Sequence, residues 1–130
     1  MPDNASREKQ ALASLKARGS PAELEWLAEA ALERNARRGL VLDLRGLSDV
    51  TDFFFVASGD SDTHTRAIAD NIVERMKEAG FRPVGMEGRS SGRWILLDFV
   101  SVIAHIFQPQ VREFYQLETL WGDAPRTELG

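Results

Sequence analysis

The 130-residue sequence contains no cysteine and only two histidines, His64 and His105. The first absence excludes disulfides, thiolate metal sites and a cysteine nucleophile. The second means that any histidine-based metal site must be completed by carboxylates. No apolar run approaches the roughly 18 residues of a membrane helix. The N-terminus lacks the apolar stretch of a signal peptide, and Asp3 and Glu8 argue against a transit peptide. An excess of positive charge is also missing. The formal net charge is −4, which disfavours broad, sequence-independent nucleic-acid binding and does not exclude a basic protein partner. These absences predict a cytoplasmic chain with no membrane segment.

What is present points to a folded core. Hydrophobic residues make up 43% and charged residues 28% of the chain, the balance of a globular domain rather than a disordered one. The length suits a single domain. Residues 1–19 mix small, charged and polar types and read as a flexible N-terminal tail, with a frayed helix over Glu8–Arg18. Residues 20–122 form the domain, and residues 123–130 read as a C-terminal tail. There is no internal repeat.

Ser20-Pro21-Ala22-Glu23 has the form of a helix start, with Ser20 as cap, Pro21 at the first helical position and Glu23 completing a capping box. Leu24, Leu27, Ala28, Ala31 and Leu32 fall on one helical face. Arg37 and Arg38 suit the negative end of the dipole, and Gly39 is the expected terminator. Trp26 points away from that stripe, either onto the tail or into a contact surface. Leu40–Arg45 alternates as a half-buried strand. Phe53–Ser58 is almost continuously apolar, as in a central strand covered on both faces. A second helix follows Gly59-Asp60-Ser61-Asp62, with Ile68, Ile72, Met76 and Ala79 on its buried side and Gly80 at its end. Arg82–Glu87 reads as a short strand, and Pro109 opens a short helical segment. The fold class is α/β (α+β): a mixed five-stranded sheet with the two main helices on one face, in which the strand–helix–strand unit over 53–87 makes a parallel crossover.

Residues 93–107 read as a hairpin with Val100-Ser101 as its loop. This pairs Phe99 with Val102, Leu97 with Ala104 and Ile95 with Ile106 on a wholly apolar face. The other face carries Trp94, Leu96, Asp98, Ile103, His105 and Phe107. A one-residue slip would change which residues pair. The mixed face, with Tyr115, Leu117 and Trp121 from the C-terminal part, is either covered from within or offered to a partner protein, for which Trp and Tyr are typical anchors.

Catalytic readings are weaker. The Gly59–Asp62 loop lacks a Walker lysine and a glycine-rich fingerprint, and its carboxylates would repel phosphate. Helix capping is the simpler role. Asp60, Asp62 and Asp98 would have to converge to hold Mg²⁺ for nucleotidyl transfer. Ser58, Ser61, His64 and His105 include no G-x-S-x-G elbow. His64 is expected to be solvated at its helix start. His105 reads as a hydrogen-bonded strand residue; a pairing with Asp98 on the same face would raise its pKa.

The segments Asp52-Phe53-Phe54-Phe55-Val56-Ala57-Ser58-Gly59, Ala67-Ile68-Ala69-Asp70, Glu87-Gly88-Arg89, Trp94-Ile95-Leu96-Leu97-Asp98-Phe99, Val102-Ile103-Ala104-His105-Ile106-Phe107, Arg112-Glu113-Phe114-Tyr115-Gln116-Leu117-Glu118 and Leu120-Trp121-Gly122-Asp123-Ala124 occur in this order. Together they resemble the ribosomal silencing factor (Iojap) family over residues 21–125. One departure is Val100-Ser101, where the family usually has Gly-Asp; valine is poorly suited to positive φ. The resemblance implies a nucleotidyltransferase-like fold without the catalytic set. It implies a non-enzymatic factor, without cofactor, metal or small-molecule substrate, that binds the large ribosomal subunit through its ribosomal protein number fourteen. Such a factor blocks joining of the small subunit and silences translation under nutrient limitation. The implied contact residues are Trp94, Tyr115 and Leu117, with Asp98, Arg112 and Glu118 as polar neighbours. A homodimer is the second association implied. A metal-dependent nucleotidyltransferase and a dimeric module with another partner are the alternatives.

Overall fold

The computed structural model describes Ala13 and residues 19–129. The predicted tail and frayed helix therefore fall almost wholly outside the described residues. Helix α1 spans Ala22–Glu33 and buries Leu24, Leu27, Ala28, Ala30 and Ala31. Its start differs from the capping box read in the sequence. Pro21 is the cap, in extended conformation, and no side chain bonds there. The Glu23 carboxylate instead accepts a hydrogen bond from the Ser101 hydroxyl. The helix also stops earlier than Gly39. Asn35 takes the left-handed conformation at φ 59. Its N–H reaches the Leu32 carbonyl at 3.0 Å, and the Ala36 N–H reaches that of Ala31 at 3.2 Å. These two bonds make a Schellman termination, with Asn in the place usually held by Gly. Arg37 and Arg38 are thereby released from the helix to begin strand β1 (Arg37–Asp43).

The remaining elements are β2 (Phe53–Ser58), α2 (Asp62–Glu78), β3 (Gly85–Glu87), β4 (Trp94–Asp98), β5 (Val102–Phe107), α3 (Pro109–Tyr115), α4 (Leu117–Leu120) and β6 (Arg126–Glu128). The sheet has six strands in the order β3-β4-β5-β2-β1-β6, not five. The extra strand lies in the segment read as a C-terminal tail. β6 pairs antiparallel with β1, matching Val41 with Thr127. Leu129 is 3% exposed and joins the core. Parallel pairing of β2 with β5 completes the mixed sheet. β2 and β3 run the same way but are not neighbours, because α2 carries the chain across β5 and β4 to the sheet edge.

Helices α1 and α2 cover one face. There Phe55, Ile95, Leu97 and Ile106 meet Leu24, Leu27, Ile68, Ile72 and Met76, all fully buried. The second face carries a smaller cluster of Leu40, Leu42, Leu44, Val56 and Phe107, with Val111, Leu117 and Trp121 from the C-terminal elements laid over it. The hairpin forms in the expected pairing: Ile95 opposite Ile106, Leu97 opposite Ala104, and Phe99 N–H to Val102 carbonyl at 2.9 Å. Val100 does sit at positive φ, 72°. Its neighbours hold it there. Asp98 Oδ1 accepts the Val100 N–H at 2.8 Å, and the Thr51 hydroxyl donates to the Val100 carbonyl at 2.9 Å. Strained backbone persists when its surroundings over-determine it in this way.

Candidate functional site

The incompletely covered face of β4 and β5 holds the aromatic residues. Pro109 starts α3 after Gln108 because the first helical position needs no N–H. Gln116, left-handed at φ 47 and ψ 51, ends α3 and turns the chain into α4. This short path turns Val111, Leu117 and Trp121 towards the sheet. It leaves Phe114 79%, Leu120 74% and Tyr115 51% exposed. A chain of rings results. Buried Phe107 lies 4.7 Å from Trp94 between centroids, Trp94 lies 5.0 Å from Tyr115, and Tyr115 lies 5.0 Å from Phe114. The rings pass outward from core to surface, and half-buried Trp94 links the two.

Of the six residues named from the sequence, Trp94 and Tyr115 are brought into contact. Leu117 is half-buried against the same cluster as Trp94. Asp98 stands at the other end of β4, roughly 13 Å along the strand by its rise per residue, where it braces the Val100 turn. Arg112 is 4% exposed. Its guanidinium is used inside the chain: Nε and Nη2 donate to Glu118 Oε1, both at 3.0 Å. Nη1 donates to the Arg38 carbonyl at 2.8 Å and to Ser58 Oγ at 2.9 Å. Burial pulls the Arg112 pKa below the usual arginine value, with Glu118 opposing. Arg112 and Glu118 thus fasten α3 and α4 to β1 and β2. Phe114 and Leu120, prominent at the surface, were not among the named contacts. Phe114 and Tyr115 are consecutive on a helix and point about 100° apart, so the two rings cannot share one inward direction.

His105 is buried, and burial alone lowers its pKa to about 4. The expected pairing with Asp98, which would raise it, is absent. Instead Nδ1 accepts the Trp94 indole N–H at 3.1 Å. Nor is His64 solvated: Asp60 N–H donates to its Nδ1 at 2.8 Å, and Nε2 meets the Arg34 carbonyl at 2.7 Å. It ties the end of α1 to the start of α2, which Ser61 caps by accepting the His64 N–H. Asp60 pairs with Arg37 at 3.0 Å, and Asp62 accepts from Gln108. Both follow the end of β2, whereas Asp98 is level with its beginning through Ile103 and Phe54. The three carboxylates therefore do not converge. Among the described residues no group of three or more His, Asp or Glu is placed to hold a metal ion, and no helix is long and apolar enough to cross a membrane.

A family model described as "Ribosomal silencing factor during starvation" (RsfS) matches residues 17–130. The chain belongs to the RsfS family of ribosomal silencing factors. It is 40% identical to the RsfS protein of Bacillus subtilis over 106 residues, covering 82% of this chain and 90% of that protein. It is 31% identical to the mouse protein named "Mitochondrial assembly of ribosomal large subunit protein 1", covering 79% of this chain and 46% of that longer one. A crystal structure of a Chromobacterium violaceum protein superposes with a TM-score of 0.76 at 35% identity, covering 78% of this chain and 84% of the other. In this RsfS chain the candidate site is the aromatic face, and Arg112 and Glu118 are already paired with each other.

Proposed function

We propose that this chain binds the large ribosomal subunit through its ribosomal protein number fourteen and, by standing on the intersubunit face, blocks joining of the small subunit. Translation is thereby repressed when nutrients are scarce. The observation that carries the reading is the run of rings from Trp94 through Tyr115 to Phe114, with two members largely in water. Large aromatic side chains beside a packed cluster are the usual anchors of protein interfaces. Leu117 lies at the edge of the same patch. The net charge of −4 suits a basic ribosomal partner. The mouse relative is named for assembly of the ribosomal large subunit, which supports the choice of subunit. No bond need be made or broken in such a mechanism, since occlusion is enough. The factor works in the cytoplasm, with the ribosomes it restrains. A second copy of the chain docking through the same face would compete with the subunit.

The test is reassociation of purified subunits followed by sedimentation. Excess protein should shift joined ribosomes to free subunits. Trp94→Ala or Tyr115→Ala should weaken large-subunit binding by about 2 kcal/mol, the scale of an anchor residue, with the melting transition retained. An unchanged sedimentation profile at saturating protein would sink the proposal.

A further inference from the structure

His105 is 4% exposed, yet its Nε2 has no nitrogen or oxygen partner. The imidazole is surrounded by rings: Phe54 at 4.6 Å, Trp94 at 5.9 Å and Phe107 at 6.0 Å between centroids. An apolar side chain of similar size would fill this space without enclosing an unmet N–H, so packing alone does not account for a histidine here. The other ring nitrogen gives the reason. Trp94 is opposite Phe107 and Leu96 is opposite His105, so Trp94 and His105 are diagonal neighbours on one face, within reach for long side chains. Nδ1 accepts the Trp94 indole N–H at 3.1 Å. As an acceptor, Nδ1 is unprotonated in neutral imidazole, which assigns the proton to Nε2. The last torsion of a tryptophan side chain is broad and roughly two-fold. Contacts with Phe107 and Tyr115 constrain the plane of the ring, but a fixed acceptor also selects which edge points inward.

We propose that His105 is a positioning residue for the Trp94 contact: it accepts the indole N–H and so sets which edge of the ring faces the partner. This rests on the reading of Trp94 as a contact, and it adds a buried residue that never touches the partner. The mechanism is preorganisation. A ring already held in its bound orientation loses less freedom on association.

The experiment is a double-mutant cycle on large-subunit binding, with the indole N–H resonances of the full chain recorded alongside. The Trp94 signal is assigned by its loss in Trp94→Ala. His105→Phe keeps a ring and removes the acceptor. It should move the Trp94 resonance upfield, speed its exchange with water, and lower affinity about five- to tenfold, the scale of one hydrogen bond. In the Trp94→Ala background the same change should cost less than about twofold, since nothing is left to orient. His105→Gln, whose amide oxygen can accept, should recover most of the affinity, and it provides a second variant if His105→Phe folds poorly. Equal losses in both backgrounds, or an unmoved Trp94 resonance, overturn the positioning role. If Trp94→Ala weakens binding while His105→Phe does not, the positioning fails alone. If Trp94→Ala binds as the wild type does, the contact reading fails first, and the positioning claim with it.

Discussion

Arg112→Met asks whether α3 and α4 are held to the sheet by polar bonds or by apolar packing. Methionine keeps much of the aliphatic stem and removes the guanidinium. Four contacts disappear: two to Glu118 at 3.0 Å, one to the Arg38 carbonyl at 2.8 Å and one to Ser58 at 2.9 Å. Glu118, whose side chain is 18% exposed, is left as a carboxylate with little water around it. Removing one partner of a buried ion pair costs about 3–5 kcal/mol. Retained stem packing places this case near the lower end, about 3 kcal/mol. For a domain of this size that is a fall in melting temperature of about 10–15 °C, measurable by circular dichroism and by urea unfolding at pH 7. Adding Glu118→Gln to the variant should return part of the loss, because the stranded charge is then gone. A loss below about 1 kcal/mol would show that the apolar contacts of Val111, Leu117 and Trp121 suffice, and would refute the fastening role given to Arg112.

Gly88→Ala should be among the most damaging single changes. Gly88 has φ +83, and a Cβ there would overlap the carbonyl oxygen of Trp94. The backbone must move, so a loss of about 3 kcal/mol or more in urea unfolding is expected. Acid should weaken the fold through His105. Its folded pKa is about 4 against an ordinary 6.5, so between those values the unfolded chain holds more protons. Its contribution is therefore fully present above pH 6.5 and is lost as pH falls towards 4, by about 3 kcal/mol in all. His105→Phe should remove that part of the pH slope between 4 and 6.5. By contrast, Arg89→Ala should leave the melting temperature almost unchanged. Its paired bonds to Asp70 are short, 2.7 and 2.9 Å, but both side chains are about half exposed and the pair is screened by water.

The hairpin could be read in the sequence because alternation of side chains and the two-residue loop both specify the same pairing. The central strand Phe53–Ser58 was legible for a similar reason: a short, continuous apolar run has few other uses. β6 was not. In Arg126-Thr127-Glu128-Leu129 only Thr127 and Leu129 are buried, and a three-residue edge strand carries too few apolar positions to stand out. The end of α1 was hidden because Asn35, not the more obvious Gly39, takes the left-handed conformation. In the candidate site, Trp94 and Tyr115 stand out by residue type, and the fold puts their rings in contact. Arg112 was named only through the family resemblance, as a polar neighbour of the contact residues, and nothing in its residue type announces burial. Its burial depends on Ser58, Arg38 and Glu118, which only the tertiary fold gathers.

The two sides of the sheet carry unequal burdens. The long helices close one side, so cohesion is concentrated there. The other side rests its rings on a scaffold that the opposite layer already sustains. Phe114 and Leu120, mostly in water, can therefore be exchanged for other side chains without loosening what lies beneath. Under the proposed function, recognition of the subunit can thus be retuned over time, or by an engineer, while the protein's resistance to melting stays where it was.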